Sequence, residues 1–286
     1  MANLKEIRSR IASVSSTMQI TSAMKMVSAA KLKKAQDAIT AMRPYADTLT
    51  ELLQNLSGSI EDASGSVFAT ERPVEKVLLV AITSNRGLCG GFNSNIIKEV
   101  VAQRDNNYAG KQVDVFTIGK KGNDILSKDF SVADNRCDVF DDLTFANVAA
   151  VADQLMEHYA NGDYDRIDLV YNRFKNAATQ LVTTEQFLPI VPVESETAST
   201  SDYIYEPAQE EIVSTLIPKA LKTQLFKALR DSFASEHGAR MTAMHKATDN
   251  ATELRDQLKL TYNKARQAAI TNEILEIVGG AEALNG

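Results

Sequence analysis

The chain has 286 residues, 44% of them hydrophobic and 24% charged, with a net charge of -6. That length can bury a full core, while the absence of any apolar run near the roughly 18 residues of a membrane span excludes a helical anchor. Two cysteines without a C-x-x-C, and three histidines without ligand spacing, exclude a disulfide framework and a zinc site written in sequence.

The amino-terminal segment "MANLKEIRSRIASV" alternates charged and apolar residues, so no signal peptide is expected. From Leu4 to Met42 one heptad frame fits. Leu4, Ile11, Met18, Leu32 and Ile39 hold one seam position, and Ile7, Val14, Ala35 and Met42 hold the other. The remaining seam slots are Thr21, Lys25 and Ser28, a polar break that leaves Met24 and Val27 off the seam. No glycine or proline occurs before Pro44, which predicts a continuous helix of about 40 residues, about 60 Å long. Pro44 is a candidate kink, beyond which "YADTLTELLQNL" can carry the helix to the Ser57-Gly58-Ser59 stop. Residues 1–43 carry +6 and residues 236–286 carry -1, which leaves -11 for the stretch between them. A basic helix on an acidic protein reads as either a docking face for a negatively charged partner or a solvated basic face.

The middle of the chain alternates strands with helices. Strands are expected at 76–83, 112–119, 166–174 and 179–190, with helices at 94–105, from "GNDILSK", and over 144–162. This is the pattern of a doubly wound, Rossmann-like α/β domain with parallel strands and one antiparallel edge. The polar stretch 193–208 links it to a second long helix. From Phe226 that helix sets apolar or small residues at 3/4 spacing, among them Met244, Ala247, Ala251, Leu254, Leu258 and Ala265. Gly238 interrupts it and the Gly279-Gly280 pair is expected to stop it. Two long seams at opposite ends of one chain pair most simply as an antiparallel coiled coil. The division expected is 1–58 for the first rod helix, 59–208 for the α/β domain and 209–286 for the second rod helix.

In "VLLVAITSNRGLCGGFNSNIIKEVV" (77–101) a strand passes through a glycine-rich turn into a helix, as in phosphate-binding loops. The lysine of a Walker loop is missing, and Gly87, Gly90 and Gly91 lack the spacing of a dinucleotide fingerprint. The glycines are read as a tight turn, with Asn93 or Ser94 as the N-cap of the following helix. No nucleophile–base constellation appears, so no catalytic residue, cofactor or metal is expected. An acidic chain whose basic helix lacks aromatics is not expected to bind nucleic acid. Residues alone leave two other readings open: a small-molecule-binding α/β domain with a coiled-coil handle, and a coiled-coil adaptor.

The ends and the loop together carry a resemblance. "LKEIRSRIASVSSTMQITSAMKMVSAAKLKKAQ", "SNRGLCGGFN", "DYIYEP" and "ARMTAMHKATDNATELRDQLKLTYNKARQAAITNEILEIVGGAEAL" closely resemble the gamma subunit of rotary F-type ATP synthases, over essentially the whole chain. The chain departs from the commoner pattern at Asn85, where Asp is usual, and at Ser28, where Ala is usual. It carries no segment like the cysteine-bearing regulatory insertion of the chloroplast members.

The resemblance implies a rotor without an active site of its own. The two terminal helices would form a shaft inside a ring of three alpha and three beta subunits, with catalysis in beta. The α/β domain would hold the epsilon subunit and stand on the c-ring, which proton or sodium flow turns. It further implies attachment to the cytoplasmic face of a bacterial inner membrane, through partner subunits only. Carried over by motif position, the contacts with the alpha/beta hexamer would be Met24, Lys25, Arg266, Gln267, Thr271 and Glu273. Tyr205 would lie on the side of the c-ring and epsilon.

Overall fold

The computed structural model describes residues 4–57, 67–68, 72–190 and 209–285. Tyr205 and the 193–208 segment lie outside the described residues. Two compact units appear, Ala29–Arg240 on the one hand and Met1–Ser28 with Met241–Gly286 on the other. Two helices run through both: α1 (Leu4–Ser57) and α5 (Gln209–Asn285). The helix α1 continues through Pro44 to Ser57, and the expected stop at Gly58 and Ser59 lies outside the described residues.

The larger unit is built on a five-stranded sheet of order β3-β2-β1-β4-β5. Its strands are β1 (Lys76–Ile82), β2 (Gln112–Ile118), β3 (Val132–Asn135), β4 (Arg166–Phe174) and β5 (Gln180–Leu188). The strands β1 to β4 pair in parallel and β5 closes one edge antiparallel to β4, the arrangement expected from sequence. Not expected was β3, a four-residue edge strand ending in Asp134 and Asn135, too short and too polar to show a periodicity. Six consecutive residues of β1, Val77 to Ile82, are fully buried, as befits a central strand covered on both faces. On one face lie α2 (Phe92–Ala102) and α3 (Lys120–Leu126), with Ile96, Val100 and Leu126 against Val77, Leu79 and Val115. On the other lie α4 (Phe145–Ala160) and the early part of α5, whose Leu221, Leu225 and Leu229 join Leu155 and Phe116. Each such leucine contributes about 1.5–3 kcal/mol of burial.

Local chemistry sets the element boundaries. Thr144 caps α4, its hydroxyl accepting from the Asn147 N–H. The N-cap of α2 is Gly91 and not Asn93 or Ser94, and the helix starts at Phe92. Asn93 is diverted because its side-chain oxygen accepts the Ser84 N–H, 2.9 Å away at the end of β1. Gly119 and Gly122 are required by close approach: a Cβ at Gly119 would stand 2.2 Å from the Thr83 carbonyl oxygen, and one at Gly122 2.7 Å from the Thr83 hydroxyl.

In the smaller unit the first part of α1 and the last part of α5 run antiparallel. The Thr248 hydroxyl donates to the Thr21 hydroxyl at 2.8 Å, and Arg255 Nη1 lies 3.4 Å from Met18 Sδ. The α1 seam faces inward as expected, its polar slots included: Thr21 and Lys25 are half-buried and Ser28 is 2% exposed. On α5 the seam differs from expectation at alternate positions. Met244, Ala251, Leu258 and Ala265 do turn inward and Ala247 is half-buried beside Thr248, but Leu254 is exposed and Arg255 and Tyr262 are half-buried instead. Thr248 already bonds across the pair, and its neighbours four residues apart follow the same stripe. Reading only apolar residues favours Ala247 and Leu254, one position away.

The expected stop at Gly279-Gly280 is also corrected, since α5 continues through both glycines to Asn285. A Cβ at either would meet nothing within 4 Å and neither has a positive φ, so they are solvated helix residues and not a cap. Gly238, in the larger unit, has a packing reason instead. Its Cβ would stand 3.2 Å from the Cα and carbonyl oxygen of Ala177, in the β4–β5 turn.

Candidate functional site

In doubly wound sheets, ligands enter at the carboxyl ends of the strands where the strand order reverses, which here is between β1 and β4. This chain fills that crevice with its own α5. The Ser235 hydroxyl donates to the Asn172 carbonyl at 2.9 Å, and the Asn172 amide donates to the Phe92 carbonyl at 3.1 Å. Cys89 and Phe92 of the glycine loop pack on Ala239. Gln224 adds bonds to Glu185 Oε1 at 2.7 Å and to the Gln186 carbonyl at 3.0 Å. Between Asp231 and Arg240 the helix is buried on nearly every side, which is why its sequence there abandons amphipathic spacing.

The glycine loop meets a cation. Arg240 Nη2 donates to the carbonyls of Arg86 (3.0 Å) and Gly87 (3.3 Å). A phosphate cradle presents N–H groups to an anion; these two peptide units present oxygens to a guanidinium. Gly90 has φ 61 and Leu88, exposed at the tip, has φ 63, so the loop turns through left-handed backbone at two points. Behind it Ser84, Cys89 and Asn93 close a polar knot, with Asn93 Nδ2 2.9 Å from Ser84 Oγ and 3.3 Å from Cys89 Sγ. Burial pushes the Cys89 thiol up, which keeps it protonated and a poor nucleophile. Asn85, the departure from the usual Asp, donates its amide N–H to the Cys137 carbonyl at 2.8 Å and accepts from the Lys120 N–H at 3.0 Å. An ionised Asp could make only the second bond.

Arg240 also carries a buried ion pair, with Nη1 2.5 Å from Glu236 Oε1. Burial pushes the Glu236 carboxyl up, and the Arg240 charge pulls against it. His237, beside the pair, is pushed down to about 4 by burial, with Arg240 and Lys31 adding repulsion. Its ring stands edge-on to Phe233 and its Nε2 has no hydrogen-bond partner among the described residues. A second buried carboxylate, Asp168, sits mid-sheet with the Tyr108 hydroxyl donating to it and Arg166 Nε at 3.1 Å; burial raises it. The Arg240 cluster ties α5 to the glycine loop, and the Asp168 cluster ties the sheet to Tyr108. Sequence reading missed the Arg240 cluster because the loop and "SEHGAR" are about 150 residues apart, and only the fold joins them.

In the smaller unit the candidate contact residues fall into two zones. Met24 and Lys25 lie in the polar layer, both half-buried, with Lys25 Nζ 3.4 Å from His245 Nδ1. Beside them Ile20, Met26 and Val27 are turned out, at 60%, 65% and 57% exposure. Arg266, Gln267, Thr271 and Glu273 lie on α5 some 20 residues beyond His245, about 30 Å along the helix. There the register of Thr21 against Thr248 brings Leu4, the first described residue of α1, level with Ala265. Every residue from Arg266 to Glu282 is exposed, including Ile270, Ile274, Leu275, Ile277 and Val278. The fold does not bring the two zones together.

Among the described residues no helix is long and apolar enough to cross a membrane. The profile of a family described as "ATP synthase" matches residues 3–284. The chain is similar to the ATP synthase gamma chain of Flavobacterium johnsoniae, with 75% identity over the whole of both sequences, and to that of Geobacter metallireducens, with 46% identity at the same coverage. Among solved structures it is similar to a chain from the central stalk and c-ring of the Tetrahymena thermophila mitochondrial ATP synthase. That match has 27% identity and a TM-score of 0.59, and covers 80% of this chain and 99% of that one. A chain of the Euglena gracilis mitochondrial enzyme shares the fold, with a TM-score of 0.69 at 22% identity, over 98% of this chain and 94% of that one.

Proposed function

From a chain that belongs to the family of ATP synthase gamma chains, we propose the central rotor shaft of a bacterial F-type ATP synthase, which couples rotation of a c-ring to ATP synthesis or hydrolysis in beta subunits. Residues 1–58 and 209–286 serve as the shaft and 59–208 as the body that meets epsilon and the ring. The observation that carries the reading is the bare end of α5. Among the described residues nothing lies alongside this end of the helix, which exposes five large apolar residues between Ile270 and Val278. Most helical stability comes from packing of an apolar face, and the apolar patches on this one call for a sheath. A ring of alpha and beta subunits closing around the helix supplies one.

The body is non-catalytic on this reading. Its switch-point crevice is filled by α5, and its glycine loop is committed to Arg240. Met24 and Lys25 face the beta levers from the polar layer, and Arg266, Gln267, Thr271 and Glu273 meet the hexamer at the shaft end. Tyr205 is the candidate for contact with the c-ring or epsilon. The complex lies on the cytoplasmic face of the inner membrane, and this chain reaches the membrane only through its partners; proton or sodium flow drives the ring.

The test is assembly with alpha and beta subunits from the same bacterium. The chain should co-purify with the hexamer and confer rotation on a bead attached to the body. A variant ending before Arg266 should bind more weakly and slip under load. If the full chain fails to associate with the hexamer, the rotor reading is wrong.

A further inference from the structure

Past Ala265 the helix α5 carries a stripe of its own. Ile270, Ile274, Ile277 and Ala281 follow steps of four, three and four residues, the spacing of a coiled-coil seam, and none of these positions is charged. The side of α5 that turns inward, through Met244, Ala251, Leu258 and Ala265, continues in the same seven-residue steps as Asn272 and Gly279. With about 100° between successive residues, the isoleucine stripe lies about 150° round the helix from that line. It is a separate face and not a remnant of the seam with α1. Ile270, Ile274 and Ile277 are 48%, 54% and 66% exposed, so the stripe is open along its length.

Knobs at this spacing fit the holes of another helix that carries the same spacing. A second copy of the chain supplies that helix through a two-fold axis, by which one stripe serves both sides. We propose that this stripe pairs with the same stripe of a second copy, giving a closed, two-fold dimer of the unassembled chain. The residues beyond Ala265 provide about 30 Å of helix for the contact. Pairing that length with itself buries about 1,000 Å² in total, the low end of specific interfaces, so the dimer is weak, with a dissociation constant of about 10–100 µM. The ring of alpha and beta subunits in the rotor reading takes the same face, so ring and second copy compete for it. The dimer itself does not rest on that reading.

Sedimentation velocity of the full-length chain, from about 2 to about 200 µM, spans the range in which such a pair forms. The weight-average mass should climb from 31.3 kDa toward twice that value. Ile274→Lys/Ile277→Lys puts charge into the seam and should weaken association at least about ten-fold. Ile125→Lys, at an exposed isoleucine of α3, should leave it unchanged. These isoleucines are exposed in the single chain, so circular dichroism at the lowest concentration should show all three proteins folded alike. A chain that stays monomeric throughout, association that survives the double lysine variant, or growth beyond two copies would overturn the pair. A monomer that still binds the alpha/beta hexamer would refute the dimer and leave the rotor reading standing.

Discussion

Replacing Arg240 with methionine keeps an apolar stem of similar reach and removes the guanidinium. In the folded chain that group holds Glu236 at 2.5 Å and donates to the carbonyls of Arg86 and Gly87 at 3.0 and 3.3 Å. The side chains of Arg240 and Glu236 are only 9% and 11% exposed, so water replaces little of what is lost. Breaking a buried pair costs about 3–5 kcal/mol, because the surviving charge is stranded. Each carbonyl left without its donor adds up to about 1 kcal/mol. Glu236 can escape part of this by taking a proton, since burial already pushes its carboxyl up, and the net loss near neutral pH comes to about 4 kcal/mol. In the double variant Glu236→Gln/Arg240→Met no charge is stranded, and the loss shrinks to about 2 kcal/mol. Urea unfolding of the full-length chain, followed by circular dichroism, should rank wild type above the double variant and the double variant above the single one. A single variant that loses less than about 1 kcal/mol, the worth of one ordinary hydrogen bond, or a double variant less stable than the single, would refute a charge-neutralising role for Arg240.

The glycines make a contrasting set. Gly279→Ala and Gly280→Ala should each stabilise the end of α5 by about 1 kcal/mol, read as added helicity, because a Cβ there meets nothing. Gly238→Ala should gain nothing and Gly238→Val should lose about 2 kcal/mol against the Ala177 backbone; equal gains at all three alanine sites would contradict this. His237 binds its proton only near pH 4 in the folded chain, against about 6.5 when unfolded, so stability should fall as the pH drops through that window. The fall attributable to His237 amounts to about 3 kcal/mol once both states have titrated. Glu236 pulls the other way in wild type and variant alike, so the difference between wild-type and His237→Leu unfolding energies isolates the ring, and parallel pH curves would count against it. In a Thr21→Val/Thr248→Val cycle the coupling should be about 0.5–1 kcal/mol, and additive single effects would show that the hydroxyl pair does not form.

The sequence alone was enough for everything that depends on local pattern. The frame from Leu4 to Met42 determined a helix and its inward face, because a heptad reports which side of a helix is buried whatever buries it. Continuous apolar runs such as Val77 to Ile82 determined central strands, and the strand–helix alternation pointed to a parallel sheet with one antiparallel edge, which the fold alone assigned to β5. The missing lysine after Gly91 already argued against a Walker loop. Tertiary structure decided what depends on partners distant in the chain. Asn93 was a sound N-cap by local rules, yet the Ser84 N–H claimed its side chain. Thr248 joined Ala247 at the seam and Arg255 took the position that an apolar count gives to Leu254, because the α1 seam opposite them offers the Thr21 hydroxyl and the Met18 thioether to meet. Gly279 and Gly280 stayed helical because a glycine ends a helix only where the backbone turns left-handed, and nothing there makes it turn. The Arg240 lock depends on a guanidinium reaching two carbonyls about 150 residues earlier in the chain. No local periodicity records such a meeting, since hydrogen-bond partners are chosen by proximity in space and the fold alone sets that proximity.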